Sequence, residues 1–166
     1  MLPKSLKPKR TKTPEQALAA LMRLAARSEK SSGDALRLMQ NWGVEPTARQ
    51  GVLQKLIDHK FIDDRRYAEA YVREKSNLSG WGVRKIAMQL RTKGVSHDII
   101  TKALGQIDSS ELQLRLQDKL RRKLKCTKAN SQYELRGKLY RYALSQGYDY
   151  EQAIKAIEAV CQDDDM

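Results

Sequence analysis

The chain has 166 residues, with 32 Lys and Arg against 20 Asp and Glu and a formal charge of +12. A surplus of that size attracts polyanions over distance, which points to nucleic acid, a nucleoprotein or an anionic surface as partner. No run of about 18 apolar residues offers a membrane span, and the basic start lacks the apolar stretch of a secretory signal, so a cytoplasmic protein away from membranes is expected.

Residues 1–12 carry Lys4, Lys7, Lys9, Arg10 and Lys12, two prolines and no acid, a composition that predicts a basic, disordered tail. Thr13-Pro14-Glu15-Gln16 then opens a helix: Thr13 caps, Pro14 suits the first helical position, and Gln16 reaches back. Similar openings stand at Ser31-Ser32-Gly33-Asp34, Asp108-Ser109-Ser110-Glu111, Ser131-Gln132-Tyr133-Glu134 and Asp149-Tyr150-Glu151-Gln152. Thr47, Asp63 and Ser96 read as simpler caps, and Gly80-Trp81-Gly82 as a turn before one more helix. Nine helices result, without strand-like alternation. The end, from Asp163 to Met166, is expected to be a short acidic tail.

Gly43, Gly94 and Gly147 each end the middle helix of three. Aligned on these glycines, Met39, Leu90 and Ala143 coincide, as do Leu53, Leu104 and Ile157, and then Leu56, Ile107 and Val160. An apolar pattern recurring about every fifty residues predicts tandem modules. Their expected bounds are 13–62, 63–107 and 108–162. Each module is small for an independent core, so neighbours are expected to share apolar faces.

Helical periodicity sorts the charges into stripes. In 63–78, Tyr67, Ala68, Tyr71 and Val72 form the apolar side, with Arg66 and Arg73 opposite. Asp63 and Asp64 are explained by capping and the helix dipole rather than by catalysis. In 82–93, Val83, Ile86, Ala87 and Leu90 are the buried stripe, Arg84 and Arg91 share a flank, and Lys85 points outward. Lys93 closes the last turn, where a cation also suits the dipole. Helix 108–125 sets Leu112, Leu116, Leu120 and Leu124 against Arg115, Asp118, Arg121, Arg122 and Lys125, with Asp118 placed to pair with Arg122. Helix 131–146 is apolar on two sides. Leu135, Leu139, Tyr142 and Ala143 form one, and Tyr133, Tyr140 and Leu144 the other. That pattern predicts a helix sandwiched between neighbours, with base stacking on the tyrosines beside Arg136, Lys138 and Arg141 as the alternative. Trp42 and Trp81 are read as packing residues.

Cys126 and Cys161 lie far apart, and neither they nor His59 and His97 have metal-ligand spacing, so two buried or idle thiols are expected ahead of a single disulfide, and no zinc. No phosphate-binding loop, dinucleotide fingerprint, nucleophile elbow or H-E-x-x-H helix occurs. The residues propose neither an enzyme nor a cofactor.

The segment from Phe61 through Asp63-Asp64-Arg65-Arg66-Tyr67-Ala68 to Arg73, then Gly80-Trp81-Gly82-Val83-Arg84-Lys85-Ile86 and Gln89-Leu90-Arg91-Thr92-Lys93-Gly94, resembles the central signature of the RecX family of bacterial recombination regulators. The first module is similar in Ala17-Leu18 and in Leu24 to Ser31. It departs at Asn41-Trp42-Gly43, where the family often has a basic residue before the glycine. The resemblance implies an all-α fold of three tandem three-helix, helix-turn-helix-like repeats in an elongated, curved arrangement. It also implies no enzyme activity, and a monomer without cofactor or metal is expected. Such proteins bind the RecA recombinase filament on single-stranded DNA and restrain its ATPase and strand exchange, modulating recombination, DNA repair and the SOS response; direct contact with the DNA strand stays open. The expected filament-binding residues are Arg66, Arg73, Arg84, Lys85, Arg91, Lys93, Arg115, Arg122 and Lys125. The rival reading is a helix-turn-helix-type protein acting directly on DNA, for which helix 96–106 offers His97, Asp98, Thr101 and Lys102 to the major groove.

Overall fold

The computed structural model describes residues 10–164, and among these every regular element is helical. The helices are α1 (Pro14–Arg27), α2 (Ser32–Asn41), α3 (Pro46–Asp58), α4 (Asp64–Asn77), α5 (Val83–Thr92), α6 (His97–Leu104), α7 (Ser109–Cys126), α8 (Gln132–Ser145) and α9 (Tyr150–Asp164). Most of the expected tail at 1–12 lies outside the described residues. At its end, Lys12 donates its N–H to the Trp42 carbonyl at 2.9 Å and sets its ammonium 5.2 Å from the centre of the indole ring. At the other terminus α9 runs on through Asp163 and Asp164, and the rest of the expected acidic tail lies outside the described residues.

Helix starts follow local chemistry. Thr13 and Gln16 exchange reciprocal hydrogen bonds, as do Ser31 and Asp34, and Asp149 and Gln152, which satisfies N–H groups that no helical partner reaches. Asp63 accepts from the N–H groups of Arg65 and Arg66, and Asp108 from those of Ser110 and Glu111. Two starts differ from expectation. α3 begins at Pro46, with Glu45 rather than Thr47 at the cap, because proline's fixed φ already suits the first turn. Ser96 caps α6 without a side-chain hydrogen bond.

The described residues divide into two compact units. The first runs to Tyr67 and takes in Thr92–Val95; the second holds Ala68–Arg91 and everything from Ser96. In the first, Ala17, Leu21, Ala35, Met39, Val44, Leu53 and Leu56 build the core between α1, α2 and α3. In the second, Leu112, Leu116 and Leu120 of α7 meet Leu139 and Ala143 of α8 and Ala153, Ala156, Ile157 and Val160 of α9. Ile86, Leu90 and Ile100 of α5 and α6 are likewise buried.

The repeat glycines have a consistent local role. Gly43, Gly94 and Gly147 take φ of +66°, +77° and +94°, and the residues after them, Val44, Val95 and Tyr148, are all buried. Each glycine reverses the chain out of a middle helix and drops the next side chain into the core.

A second role was not visible in the sequence. In the first unit, Ser31 Oγ donates to the Lys93 carbonyl at 2.6 Å, and Gly33 lies so near Gly94 that a Cβ on it would sit 2.3 Å from the Lys93 oxygen. In the second unit, Gly82 N–H donates to the Gln146 carbonyl at 2.7 Å and Arg84 N–H to the Gly147 carbonyl at 3.1 Å. The turn that ends one middle helix therefore seats on the N-terminus of the middle helix before it, and the same joint is made twice.

Candidate partner-binding surface

Two of the expected binding cations lie in the first unit, and both are held by carboxylates. Arg66 Nε donates to Glu29 Oε1 at 2.7 Å, and its Nη2 donates to the Lys60 carbonyl at 3.3 Å. The Glu29 hydrogen bond raises the Arg66 pKa above its ordinary value, against the opposing effect of burial. Lys93 Nζ stands 3.6 Å from Asp34 Oδ1, and Asp34 is also paired with Arg37. Much of the positive charge on Arg66 and Lys93 is thus answered within the unit.

The second unit carries the remaining seven. Arg73, Arg84 and Arg91 are exposed, with Arg91 Nε donating back to the Ala87 carbonyl at 3.3 Å. Lys85 is half-buried rather than outward, because its ammonium sits 4.3 Å from the centre of the Trp81 ring. Lys75 approaches the same ring at 5.3 Å, so Trp81 packs between two cations. On α7, Arg115 donates to Glu111 at 3.0 Å and to the Ser76 carbonyl at 3.3 Å. Arg122 and Lys125 are exposed. The expected Asp118–Arg122 ion pair is replaced by Asp118 with Arg121 at 3.2 Å, while Arg122 Nε donates to the Asp118 backbone carbonyl at 3.3 Å.

Helix faces alone suggested these seven cations; the structure adds a trough. A depression of about 600 Å³ lies between α7 and the 77–80 turn, lined by Arg115, Lys119, Arg122 and Lys123 with Asp118 as its one carboxylate. Lys119 and Lys123 were not among the expected cations, although positions 115, 119, 122 and 123 follow helical spacing on one face. Lys119 Nζ donates to Gln146 Oε1 at 2.7 Å. Burial, followed by the charges of Arg122 and Lys85, lowers the Lys119 pKa below its ordinary value. Lys123 lies 5.2 Å from the centre of the Tyr142 ring. The floor is fixed from beneath, where Tyr148, 1 % exposed, donates its hydroxyl to the Gly80 carbonyl at 2.9 Å. Four cations converging around one carboxylate suit an anion, and they rest on a helix buried along its leucine face.

Other expectations resolve simply. The sandwich expected for α8 fails at one end. Leu139 and Ala143 are buried and Tyr140 packs against the core, but Tyr133 is 91 % exposed. Cys126 is exposed and Cys161 buried, both as free thiols. Among the described residues no group of three or more His, Cys, Asp and Glu is placed to hold a metal, and no helix is long and apolar enough to cross a membrane.

Residues 63–104 match the family model described as RecX, second three-helix domain. The regulatory protein RecX of Mycobacterium sp. (strain KMS) is 31 % identical over 148 residues, an alignment that covers 86 % of this chain and 80 % of the relative. The regulatory protein RecX of Clostridium botulinum (strain Alaska E43 / Type E3) is 35 % identical over 128 residues, covering 75 % of this chain and 58 % of the relative. The crystal structure of RecX from Lactobacillus salivarius has the same fold, with a TM-score of 0.74 at 21 % identity over 90 % of this chain and 97 % of that one. With an all-helical fold, the central signature and alignment over most of its length, the chain belongs to the RecX family of regulatory proteins and is a regulator rather than an enzyme.

Proposed function

We propose that the chain binds the RecA recombinase filament on single-stranded DNA and restrains its ATPase and strand exchange, modulating recombination and repair in the cytoplasm as a single chain. The observation that carries this reading, together with family membership, is the concentration of cations on the second unit, which outnumber the carboxylates beside them. Arg73, Arg84, Lys85, Arg91, Arg115, Arg122 and Lys125 supply contacts to acidic protein or to phosphate. Arg66 and Lys93 contribute less, because Glu29 and Asp34 already hold them. Restraint then follows from bridging: a chain fixed to adjacent protomers opposes the subunit movement that ATP turnover requires.

The test is ATP hydrolysis by the host's recombinase on single-stranded DNA, titrated with wild type and with a variant carrying Arg84→Gln, Lys85→Met and Arg91→Gln. Methionine retains the apolar stem that covers Trp81. Losing three interfacial cations is expected to raise the half-inhibiting concentration about tenfold or more, with far-UV circular dichroism unchanged. Unaltered inhibition by that folded variant refutes the surface. Gel shifts against duplex, single strand and recombinase-coated strand address the helix-turn-helix alternative. Sequence-dependent preference for bare duplex overturns the regulator reading. Asp98 among the exposed residues of α6 weighs against that alternative, since it faces phosphate unfavourably.

A further inference from the structure

Beside the trough lies a depression of a different character. A groove of about 500 Å³ runs between α8 and α9, lined by Tyr133, Arg136, Gly137, Tyr140 and Arg141 with Ile154 opposite, and the carboxylates Glu134 and Glu158 stand beside its two arginines. Tyr133 stands 91 % exposed on an ordered helix. Tyr140 is held in place by an edge-to-face contact with Tyr150, at 5.7 Å between ring centres. Gly137 sits in the middle of α8, where glycine is unfavourable, yet nothing packs close enough to demand it. A Cβ there would meet only the Arg141 guanidinium, at 3.6 Å. The missing side chain leaves bare helix backbone as the floor of an aromatic-walled groove.

The groove is continuous with positive charge. Arg141 also lines a neighbouring depression with Lys123, Lys128 and Lys138, and that depression shares Lys123, Cys126 and Tyr142 with the trough. Glu134, the carboxylate nearest Tyr133 in sequence, is engaged by Lys138 at 2.7 Å. The hydrogen bond from Lys138, then that from the Asn130 N–H, keeps the Glu134 pKa below the usual carboxylate range. A cationic path therefore leads into an aromatic groove through one arginine.

We infer that the third module binds single-stranded nucleic acid directly, with phosphates along the Arg115–Lys123–Arg141 path and an unpaired base stacked on Tyr133. Single strands alternate a charged backbone with flat apolar faces, which is the alternation this surface presents. A duplex hides those faces inside its stack, and an apolar partner helix leaves the cationic path unmatched. The inference deepens the filament reading by giving the chain its own hold on the strand, and it rests on that reading only for its setting, since binding to a bare strand is measured without recombinase.

The experiment is fluorescence anisotropy of the full chain with labelled oligothymidylate, oligouridylate and an abasic strand of equal phosphate number. Wild type is expected to bind the base-bearing strands more tightly than the abasic one, and the tighter of the two identifies DNA or RNA as the ligand. Tyr133→Ala, at an exposed position that leaves folding intact, weakens base-bearing strands roughly five-fold or more and leaves the abasic strand unchanged. Tyr133→Trp restores the loss. Gly137→Leu, which favours the helix while filling the groove, weakens binding in the same way. Lys123→Gln with Arg141→Gln weakens all three strands and flattens the salt dependence. Equal affinity of wild type for abasic and base-bearing strands overturns the inference. So does an effect of Tyr133→Ala confined to the recombinase filament, which assigns the groove to protein. Recombinase inhibition is scored separately, so either reading can fail while the other stands.

Discussion

Of the three repeat glycines, Gly43 and Gly147 share a left-handed backbone but have different surroundings, and their replacement by alanine separates conformational strain from steric exclusion. At Gly43, φ is +66° and the one close approach to an added Cβ is the side chain of Thr11, whose Cγ2 lies 2.8 Å away and can turn aside, while the nearest backbone atom, Thr11 Cα, stands at an ordinary 3.9 Å. The expected loss is the left-handed penalty alone, about 1–2 kcal/mol. At Gly147, φ is +94° and the Cβ would lie 2.4 Å from Lys85 Cβ and 2.5 Å from Lys85 N. Favourable carbon contacts need roughly 3.5–4.0 Å, so the joint must open by about 1 Å. The two hydrogen bonds that close it, Gly82 N–H to Gln146 at 2.7 Å and Arg84 N–H to Gly147 at 3.1 Å, are then broken or stretched. Each is worth about 0.5–1.5 kcal/mol. Gly147→Ala is therefore expected to cost about 2–5 kcal/mol, a difference that shifts a urea midpoint by about 1 M relative to Gly43→Ala. Circular dichroism reports the helices, while Trp42 and Trp81 fluorescence reports each unit. Asparagine, which tolerates the left-handed region, should recover part of the loss at 43 and little at 147. Coincident midpoints for the two alanine variants would refute the argument that backbone contact, rather than φ, makes Gly147 irreplaceable.

Two further outcomes follow from single positions. Burial, only partly offset by the charge of Arg115, pushes the Tyr148 pKa up from 10.0 to about 12. The folded chain keeps a proton there that the unfolded chain releases first, so this stabilisation is complete below pH 10.0 and declines toward about pH 12. Urea midpoints across that window should fall in wild type and fall less in Tyr148→Phe; identical slopes would remove Tyr148 from the account. Tyr148→Phe also strips the Gly80 carbonyl of its buried donor and should cost about 1–2 kcal/mol at neutral pH. Gly51 lies within α3, and a Cβ added there would have no neighbouring atom inside 4 Å. Gly51→Ala should accordingly stabilise by about 0.5–1 kcal/mol, and a lower melting temperature would contradict it.

What the sequence made legible, and what it left hidden, divides along the range of the interactions. Thr13, Ser31, Asp108 and Asp149 act on N–H groups a few residues away, so their roles could be read from neighbours in the chain. The apolar stripes of α5 and α7 depend only on helical period, and Ile86, Leu90, Leu112, Leu116 and Leu120 are buried as expected. Glycine at 43, 94 and 147 also announced the helix ends. The second role of these turns, seating on the previous middle helix, depends on a partner distant in sequence and left no periodic trace. The tyrosines of α8 show the same limit from the other side: periodicity marked both faces as apolar, but only packing reveals that Tyr140 is supported and Tyr133 is bare.

The same distinction governs the candidate surface. A helix wheel places cations but cannot see a carboxylate arriving from another element. Glu29 reaches Arg66 across 37 residues of sequence, and Asp34 engages Lys93 through a fold contact. Both cations look available in sequence and are already answered in the folded unit. On α7 the error runs in the opposite direction. Asp118, the obvious neutraliser of Arg122, turns to Arg121 instead, and Lys119 and Lys123 join Arg115 and Arg122 in one trough. Burial first, and then the like charges of Arg122 and Lys85, depress the Lys119 pKa. A bound anion reverses that depression by favouring the protonated amine. Charge on this chain is thus answered internally where Glu29 and Asp34 hold it and left crowded on α7, where a polyanion would relieve the repulsion.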